Sequence, residues 1–413
     1  MTDPLILIRS VHIAATVLAA GTVGFRALAM PPGAEAAALR RPLDWTVWSA
    51  LAVAVLSGAV WLVLLASDIL GGSILDVCLH GGVWQVATDT RFGWIWGARL
   101  GLALMIGVLL WWPEAHVPPL IAAAAFIGLL APVGHAGAAS GLAGRLHLIS
   151  DTAHLLAAGA WLGGLPALAL LLARARRFAT PPWHAVAAVT TRRFSVIGIA
   201  AVGTLLASGV FNSWNLLSGP GDLLATDYGR LIMLKIGLFA AMVGLAGVNR
   251  YRLTPLIPAP GAMRSLQRNT IGEIGLGLGV LLFVGALGTM PPPVHIHAPS
   301  SGIPADAAFV HIHTAEIMAD VTIKPGRVGL TKVRIRVLRE ESSEFAVKEL
   351  RFRLDPRDGG AGPVEQAAAR RPDGSWEVER LEIGQPGIWT VRVLITTGAG
   401  TAVILDAPVV IDR

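Results

Sequence analysis

Eight stretches of this 413-residue chain are apolar for long enough to cross a bilayer, which takes about 20 residues as helix. They cover roughly 5–30, 43–67, 92–112, 117–138, 146–173, 190–217, 230–248 and 271–290. Inside lipid every backbone N–H and C=O must find its partner within the segment, so stretches of this kind become helices. Only 15% of the residues are charged and 54% are apolar, whereas soluble domains are nearer a quarter charged. The start of the chain carries Asp3 instead of a basic cluster, and the first apolar stretch is too long for a secretory h-region. No cleavable signal peptide is therefore expected.

Charge orients the helices. Arg40 and Arg41 lie in loop 1–2, Arg174, Arg176, Arg177, Arg192 and Arg193 in loop 5–6, and Arg250, Arg252, Arg264 and Arg268 in loop 7–8. The alternate loops carry Asp68, Asp76, Asp89 and Arg91, then Asp222 and Asp227. Basic loops face the cytoplasm, so eight spans put both termini outside. The net charge of +6 is mostly this topology signal and forms no nucleic-acid patch.

With that orientation, nine of the eleven histidines fall on the outer side. His80, His135 and His147 lie in or beside outer loops, His12 and His154 in the outer halves of helices 1 and 5, and His295, His297, His311 and His313 after helix 8. Only His116 and His184 are cytoplasmic. Imidazole is the commonest protein metal ligand and suits Cu, Zn, Fe and Ni. Packing histidines and polar outer loops are the competing explanation. Cys78 stands alone, which excludes an intramolecular disulfide.

The eight helices read as two copies of four. Ser10-Val-His12 corresponds to Thr152-Ala-His154, Leu56-Ser57-Gly58 to Ala207-Ser208-Gly209, and Thr90-Arg-Phe92-Gly93 to Thr226-Asp-Tyr228-Gly229. Arg99 then aligns with Lys235, and Gly101 with Gly237. Four helices is an even number, so the copies are parallel repeats about an axis along the membrane normal. Arg99 and Lys235 sit inside helices 3 and 7, where an ionisable group is costly. They either snorkel to the headgroups or hold a counter-anion, a quinone or a haem propionate. Gly159, Gly163 and Gly164, with Gly272, Gly275, Gly277 and Gly279, are expected to let helices approach closely.

After residues 291–304, read as a linker, the apolar period becomes two. Val321–Gly326, Thr331–Val337, Glu349–Leu354, Ser375–Ile383 and Gly387–Leu394 alternate polar and apolar residues, which predicts an antiparallel β-sandwich over 305–413 with Trp376 and Trp389 in its core. The fold class is thus an all-α polytopic membrane bundle over 1–290, with eight transmembrane helices in two parallel repeats, followed by a small all-β sandwich. In extended chain, residues i and i+2 share a face, so His295/His297 and His311/His313 can each offer two imidazoles to one ion. Met290 and Met318 stand nearby, and thioether with imidazole favours copper over zinc. A polar strand edge is the alternative.

Several of these stretches resemble a known family. Thr90-Arg-Phe-Gly-Trp-Ile-Trp-Gly-Ala-Arg-Leu100, Asp151-Thr-Ala-His-Leu-Leu-Ala-Ala-Gly-Ala-Trp-Leu-Gly-Gly164, Arg193-Phe-Ser195, Ala207-Ser-Gly-Val-Phe-Asn-Ser-Trp214, Thr226-Asp-Tyr-Gly-Arg230 and Val248-Asn-Arg-Tyr-Arg-Leu-Thr-Pro255 occur in order. Together they resemble the CopD (PcoD-like) copper-resistance inner-membrane family. The tail resembles the YtkA-like or CopC-like periplasmic modules fused to some members, without the N-terminal His of a CopC-type copper site. The resemblance implies copper handling at the bacterial inner membrane, from periplasm to cytoplasm, with a periplasmic donor of CopC type.

Three functions stay open. In the first, which is not enzymatic, outer histidines capture copper ions and pass them through His135, His147, His154 and His12 into the bundle. No ATP-binding loop is present, so movement would be secondary or passive. The inner half offers only Met105, Met233 and Met242, and no continuous ligand path is visible. In the second, His12 and His154 are axial ligands to a b-type haem or contact a quinone, with Arg99 and Lys235 holding the anionic groups. In the third, the protein senses copper or docks a periplasmic partner without transport.

Overall fold

Helix-forming apolar sequence produces twelve helices among the described residues. The computed structural model describes residues 4–70, 73–112, 114–134, 141–217, 219–290, 306–313, 317–339, 347–356, 362–397 and 402–412. The helices are α1 (Pro4–Gly24, continued by a π turn Phe25–Ala29), α2 (Ala34–Leu70), α3 (Ile74–Leu79), α4 (Gly82–Asp89), α5 (Arg91–Leu109) and α6 (Val117–Gly128). Then come α7 (Gly141–Trp161), α8 (Leu165–Phe178), α9 (Pro181–Leu216), α10 (Asp222–Ala225), α11 (Asp227–Val248) and α12 (Pro260–Leu287). Seven of the helical segments are long and apolar enough to cross a membrane, and an eighth, Val117–Val133, is apolar but shorter. The helices and the strands form separate compact units. The expected linker 291–304, together with His135, His295 and His297, lies outside the described residues.

Two expectations about the loops change. Arg40 and Arg41 lie within α2 rather than in a loop, and Arg192 and Arg193 lie within α9. A helix satisfies its own backbone, so it continues beyond its apolar part. Arg26 and Arg40 both pair with Asp44 there, Arg40 at 3.4 Å. The loop before α5 is also not plain coil but holds α3 and α4.

The duplication is legible in the contacts. Thr90 caps α5 by accepting the Gly93 N–H at 3.1 Å, and Thr226 caps α11 by accepting the Gly229 N–H at 2.9 Å. Both hydroxyls also donate back, to the Val86 and Asp222 carbonyls. Glycine is required at both third positions: a Cβ on Gly93 would strike the Ala87 backbone, and one on Gly229 the Asp222 carbonyl.

The helix α1 and its counterpart, the α7–α8 segment, meet backbone to backbone. A Cβ on Gly21 would collide with Gly163 and the Gly159 carbonyl, and a Cβ on Gly163 would collide with Gly21 and the Val17 carbonyl. In the alignment of these two helices Val17 corresponds to Gly159 and Gly21 to Gly163. Each residue therefore touches its own counterpart or its counterpart's neighbour, the reciprocal pattern a two-fold axis demands. Gly159 and Gly163 form a small-xxx-small pair, which allows such an approach. Gly164 receives the Phe194 ring, Gly277 receives Leu162, and Gly279 lies against Leu238, whereas Gly275 has nothing near its Cβ position.

In the tail the alternating sequence forms strands β1 (Ala308–His313), β2 (Ile317–Lys324), β3 (Gly329–Arg339), β4 (Val347–Pro356), β5 (Val364–Ala367), β6 (Ala369–Arg370), β7 (Trp376–Ile383), β8 (Gly387–Thr397) and β9 (Ala402–Ile411). Two antiparallel sheets result, in the orders β1-β2-β3-β7-β6 and β5-β4-β8-β9. Trp376 and Trp389 both join the core, with Phe352, Val391 and Leu405. The Trp389 indole donates to the Gln385 carbonyl at 3.1 Å. His311 and His313 belong to β1, in register with Asp320 and Met318, and Ile312 between them is buried.

Gly163→Leu should destabilise the helical unit by at least about 1–3 kcal/mol, because the crossing has no room for a side chain; thermal unfolding in detergent measures it. Trp389→Ala should cost the tail about 3–5 kcal/mol and leave the helical transition in place, read as a selective loss of β-sheet signal on heating.

Candidate functional site

The two repeats place equivalent residues in equivalent pockets but give them different chemistry. In the first, His12 on α1 is 4% exposed. Its Nδ1 is 2.9 Å from the Ala54 carbonyl and 3.2 Å from Ser57 Oγ. A carbonyl only accepts, so Nδ1 carries the proton. Nε2 then holds a lone pair, and Arg99 Nη2 donates to it at 3.0 Å.

Arg99 is buried as well, and both of its terminal nitrogens donate hydrogen bonds. It donates to Thr16 Oγ1 at 2.9 Å and to the Phe126 carbonyl, and lies 4.4 Å over the Phe126 ring. It points inward rather than snorkelling to the headgroups. Around it stand aromatic groups: Arg9 lies 4.7 Å over the Trp61 ring, and Trp61 packs edge-on against His12 and Phe92. Both nitrogens of His12 are therefore committed.

In the second repeat, His154 on α7 stands where His12 does. Ser208 Oγ donates to the Thr204 carbonyl at 2.5 Å and so accepts from His154 Nδ1 at 2.9 Å. This again fixes the proton on Nδ1. Among the described residues Nε2 has no hydrogen-bond partner.

The surrounding positions have changed. Arg9 is replaced by Asp151, Trp61 by Asn212, Phe92 by Tyr228 and Arg99 by Lys235. Asn212 Nδ2 donates to Asp151 Oδ1 at 3.2 Å. Lys235 interacts electrostatically with both Asp151 and His154, and Tyr228 with Asp151. A cation-and-aromatic pocket in one copy is a carboxylate–imidazole pocket in the other.

His147, His154 and Trp161 follow at seven-residue steps along α7, with Asp151 between the two histidines. At 3.6 residues per turn these positions share one face. His147 is buried, 6% exposed. The face thus presents imidazole, carboxylate and imidazole in turn.

The other sequence-derived candidates are not gathered there. Met290 packs in the apolar cluster of Tyr228, Ile232 and Leu287. His80 is exposed and pairs with Asp76 at 2.9 Å, and Cys78 is an exposed free thiol. Among the described residues no three His, Cys, Asp or Glu side chains converge as a metal shell. Among the described residues, His154 does not line the cavity beside His12. That cavity, about 10 Å³, is lined by Ala54, Val55, Trp96, Arg99, Leu100 and Phe126, all from the first repeat. Ligand pockets begin at about 300 Å³, so this space does not fit a haem, and Arg99 holds the nitrogen that an iron would need.

Sequence reasoning passed over Asp151, Asn212 and Tyr228, although all three stand within the family-like stretches. The available signal was position: a carboxyl within an apolar helix defaults to a functional reading. It also passed over Glu273, in the middle of α12 and 2% exposed.

The chain is similar to known proteins over most of its helical part. The family model described as copper resistance protein D matches residues 188–287, and that of the copper resistance protein D-like N-terminal domain matches residues 1–145. The chain is 33% identical to the inner membrane protein YebZ of Escherichia coli over 255 residues, 60% of this chain and 82% of that protein. It is 29% identical to copper resistance protein D of Pseudomonas syringae pv. tomato, over 58% of this chain and 81% of that protein. Against the copper transport protein CutJ of Bacillus subtilis it is 27% identical over 66% of this chain, and it spans about half of that protein's length. With its several transmembrane helices, the chain is a membrane protein that belongs to the copper resistance protein D family.

Proposed function

We propose that this protein takes copper ions from the outer side of the inner membrane and moves them toward the cytoplasm, with the second repeat as the conducting half. The observation that carries this is the state of the two repeat histidines. His12 has both nitrogens in use, whereas His154 keeps Nε2 as a lone pair one turn from Asp151. Neutral imidazole with a bare nitrogen is the form that binds metal. His147, two turns along the same face, supplies the preceding imidazole.

The spacing favours passage over storage. Structural metal sites close a shell of four ligands, whereas here donors follow one another along a helix face. Lys235, in electrostatic range of Asp151 but not ion-paired with it, offsets part of its charge while no metal is bound and leaves the carboxylate open to an arriving cation. The first repeat acts as a scaffold in this reading, its imidazole held by Arg99.

Capture belongs to the outer histidines. His135, His295, His297, His311 and His313 enter the proposal on sequence grounds, as does a soluble copper donor of CopC type that delivers to them. The arrangement of termini, both outside, rests on the charge of the loops. Copper families of this kind are named for resistance and transport, which supports transport over sensing, and copper is cargo rather than a resident cofactor.

Replacing His147 and His154 together by Ala should weaken copper binding by the membrane unit at least about tenfold, the low end of what losing a metal site's support costs. It should abolish copper uptake by proteoliposomes. His12→Ala should instead destabilise the fold by about 1–3 kcal/mol, by stranding Arg99, and leave copper affinity within a few fold. Equal copper loss in both variants would reject the assignment of roles. A reporter fused after Arg413 should be active only in its periplasmic form; cytoplasmic activity would reverse the direction proposed. Purified protein should show no Soret band, and a haem spectrum would turn the reading to redox chemistry.

A further inference from the structure

Glu273 on α12 is the one buried carboxyl of the helical unit, among the described residues, that no cation faces. Asn249 Nδ2 donates to its Oε1 at 2.6 Å, and the Trp161 indole is its second donor. Asn249 is itself held in place: Asn269 Nδ2 donates to its Oδ1 at 2.9 Å, and Thr254 Oγ1 to its carbonyl at 2.7 Å. Asn249 opens a π turn, Asn249–Leu253, at the end of α11, an irregularity that tends to occur at functional positions. The structure thus devotes a distorted helix end and two amides to presenting N–H groups to one carboxyl.

The charged groups on the neighbouring elements are engaged or turned away. Arg250 of the π turn donates to Ser195 Oγ at 2.7 Å, Arg176 of α8 donates to Gln267, and Arg26 beyond α1 pairs with Asp44. Arg252, Arg264 and Arg268 are exposed, as are Arg192 and Arg193 on α9. Lys235 of α11 interacts with Asp151. A carboxylate buried without a cation is costly unless a proton or a bound cation neutralises it. Copper favours imidazole and sulfur donors. Burial without a cation favours the protonated carboxyl, whereas the two N–H donors favour the ionised one, and these opposed effects suit a carboxyl that exchanges its proton.

Its position connects it to the copper face. Trp161 closes the series His147, His154, Trp161 on α7, so Glu273 lies beyond His154 by about 10 Å along the helix. We propose that Glu273 is a proton-binding site that loads and unloads as copper passes. When one copper(I) ion moves inward, the carboxyl releases one proton to the outer side and takes its next proton from the inner side, so that one positive charge is exchanged for another and no electron is transferred. The proposal rests on the transport reading above for its coupling, but not for the proton site itself.

The test uses the full chain, wild type, Glu273→Gln and Glu273→Asp. Infrared spectra in lipid nanodiscs should show a protonated-carboxyl band that shifts in D2O, disappears in Glu273→Gln and moves in Glu273→Asp. Proteoliposomes given copper(I), with a trapped pH dye, should couple uptake to a change in internal pH. Glu273→Gln should lose that pH change and the pH dependence of the uptake rate, while outer copper binding stays unchanged. An identical infrared band and pH profile in Glu273→Gln would overturn the proposal. So would loss of the wild-type band on adding copper with no internal pH change, which would make Glu273 a copper ligand. If the wild type moves no copper, the transport reading fails, and the infrared band by itself decides the proton site. Should Glu273→Gln fail to fold, the band shift in Glu273→Asp takes its place.

Discussion

The contact on which the helical unit depends is the crossing of α1 with the α7–α8 segment at Gly21, Gly159 and Gly163. No side chain fits there, because a Cβ on Gly21 or Gly163 would lie within the opposing backbone. Lipid tails are as apolar as any side chain, so helix association in a membrane comes from close van der Waals packing rather than from burial. A backbone-to-backbone approach maximises that attraction. It also puts corresponding residues of the two repeats opposite one another, which fixes the pseudo-symmetry of everything attached. The threonine cap, the His–Ser pair and the cation on the third membrane helix of each repeat are then placed twice by one geometric rule.

Having two copies let the surroundings of one histidine change while those of the other stayed closed around it. Both histidines give the Nδ1 proton to an oxygen acceptor on the following membrane helix. The difference lies at Nε2. Arg99 is long and forked and reaches it at 3.0 Å. The interactions of Lys235, by contrast, run to Asp151 as well. Four substitutions at equivalent positions, Arg9 to Asp151, Trp61 to Asn212, Phe92 to Tyr228 and Arg99 to Lys235, turn an aromatic cage into a polar pocket. Arginine holds several donors in a rigid plane where lysine is a single flexible charge, which is why this pair cannot be exchanged without changing the role of the histidine.

The polar groups also divide by depth. His147, Asp151 and His154 lie on the part of α7 away from Trp161, and Glu273 with Asn249 meets its Trp161 end. Imidazole donors at one end suit the proposed copper path, and a carboxyl held by N–H donors at the other suits the proposed proton site.

Much was already legible in the chain. Long apolar runs cannot be satisfied in lipid except as helices, so the helical unit followed from composition, and the switch to period two marked the sandwich. The repeat was readable from short motifs, because caps and glycine contacts demand specific residue types at fixed spacing. Trp376 and Trp389 were readable as core from their place in alternating strands. The extent of the helices was not, since hydrogen bonding carries α2 and α9 past their apolar parts. Nor could the sequence separate His12 from His154, because two identical side chains differ only in what a distant helix brings to the second nitrogen. Asp151 and Glu273 were visible as charges in apolar helices, but their partners, Asn212 and Asn249, are 61 and 24 residues away. The sequence by itself determined where backbone must be helical and which residues could serve as ligands. Tertiary structure alone decided which lone pairs remain free, because a hydrogen bond between helices depends on distances that no local pattern encodes.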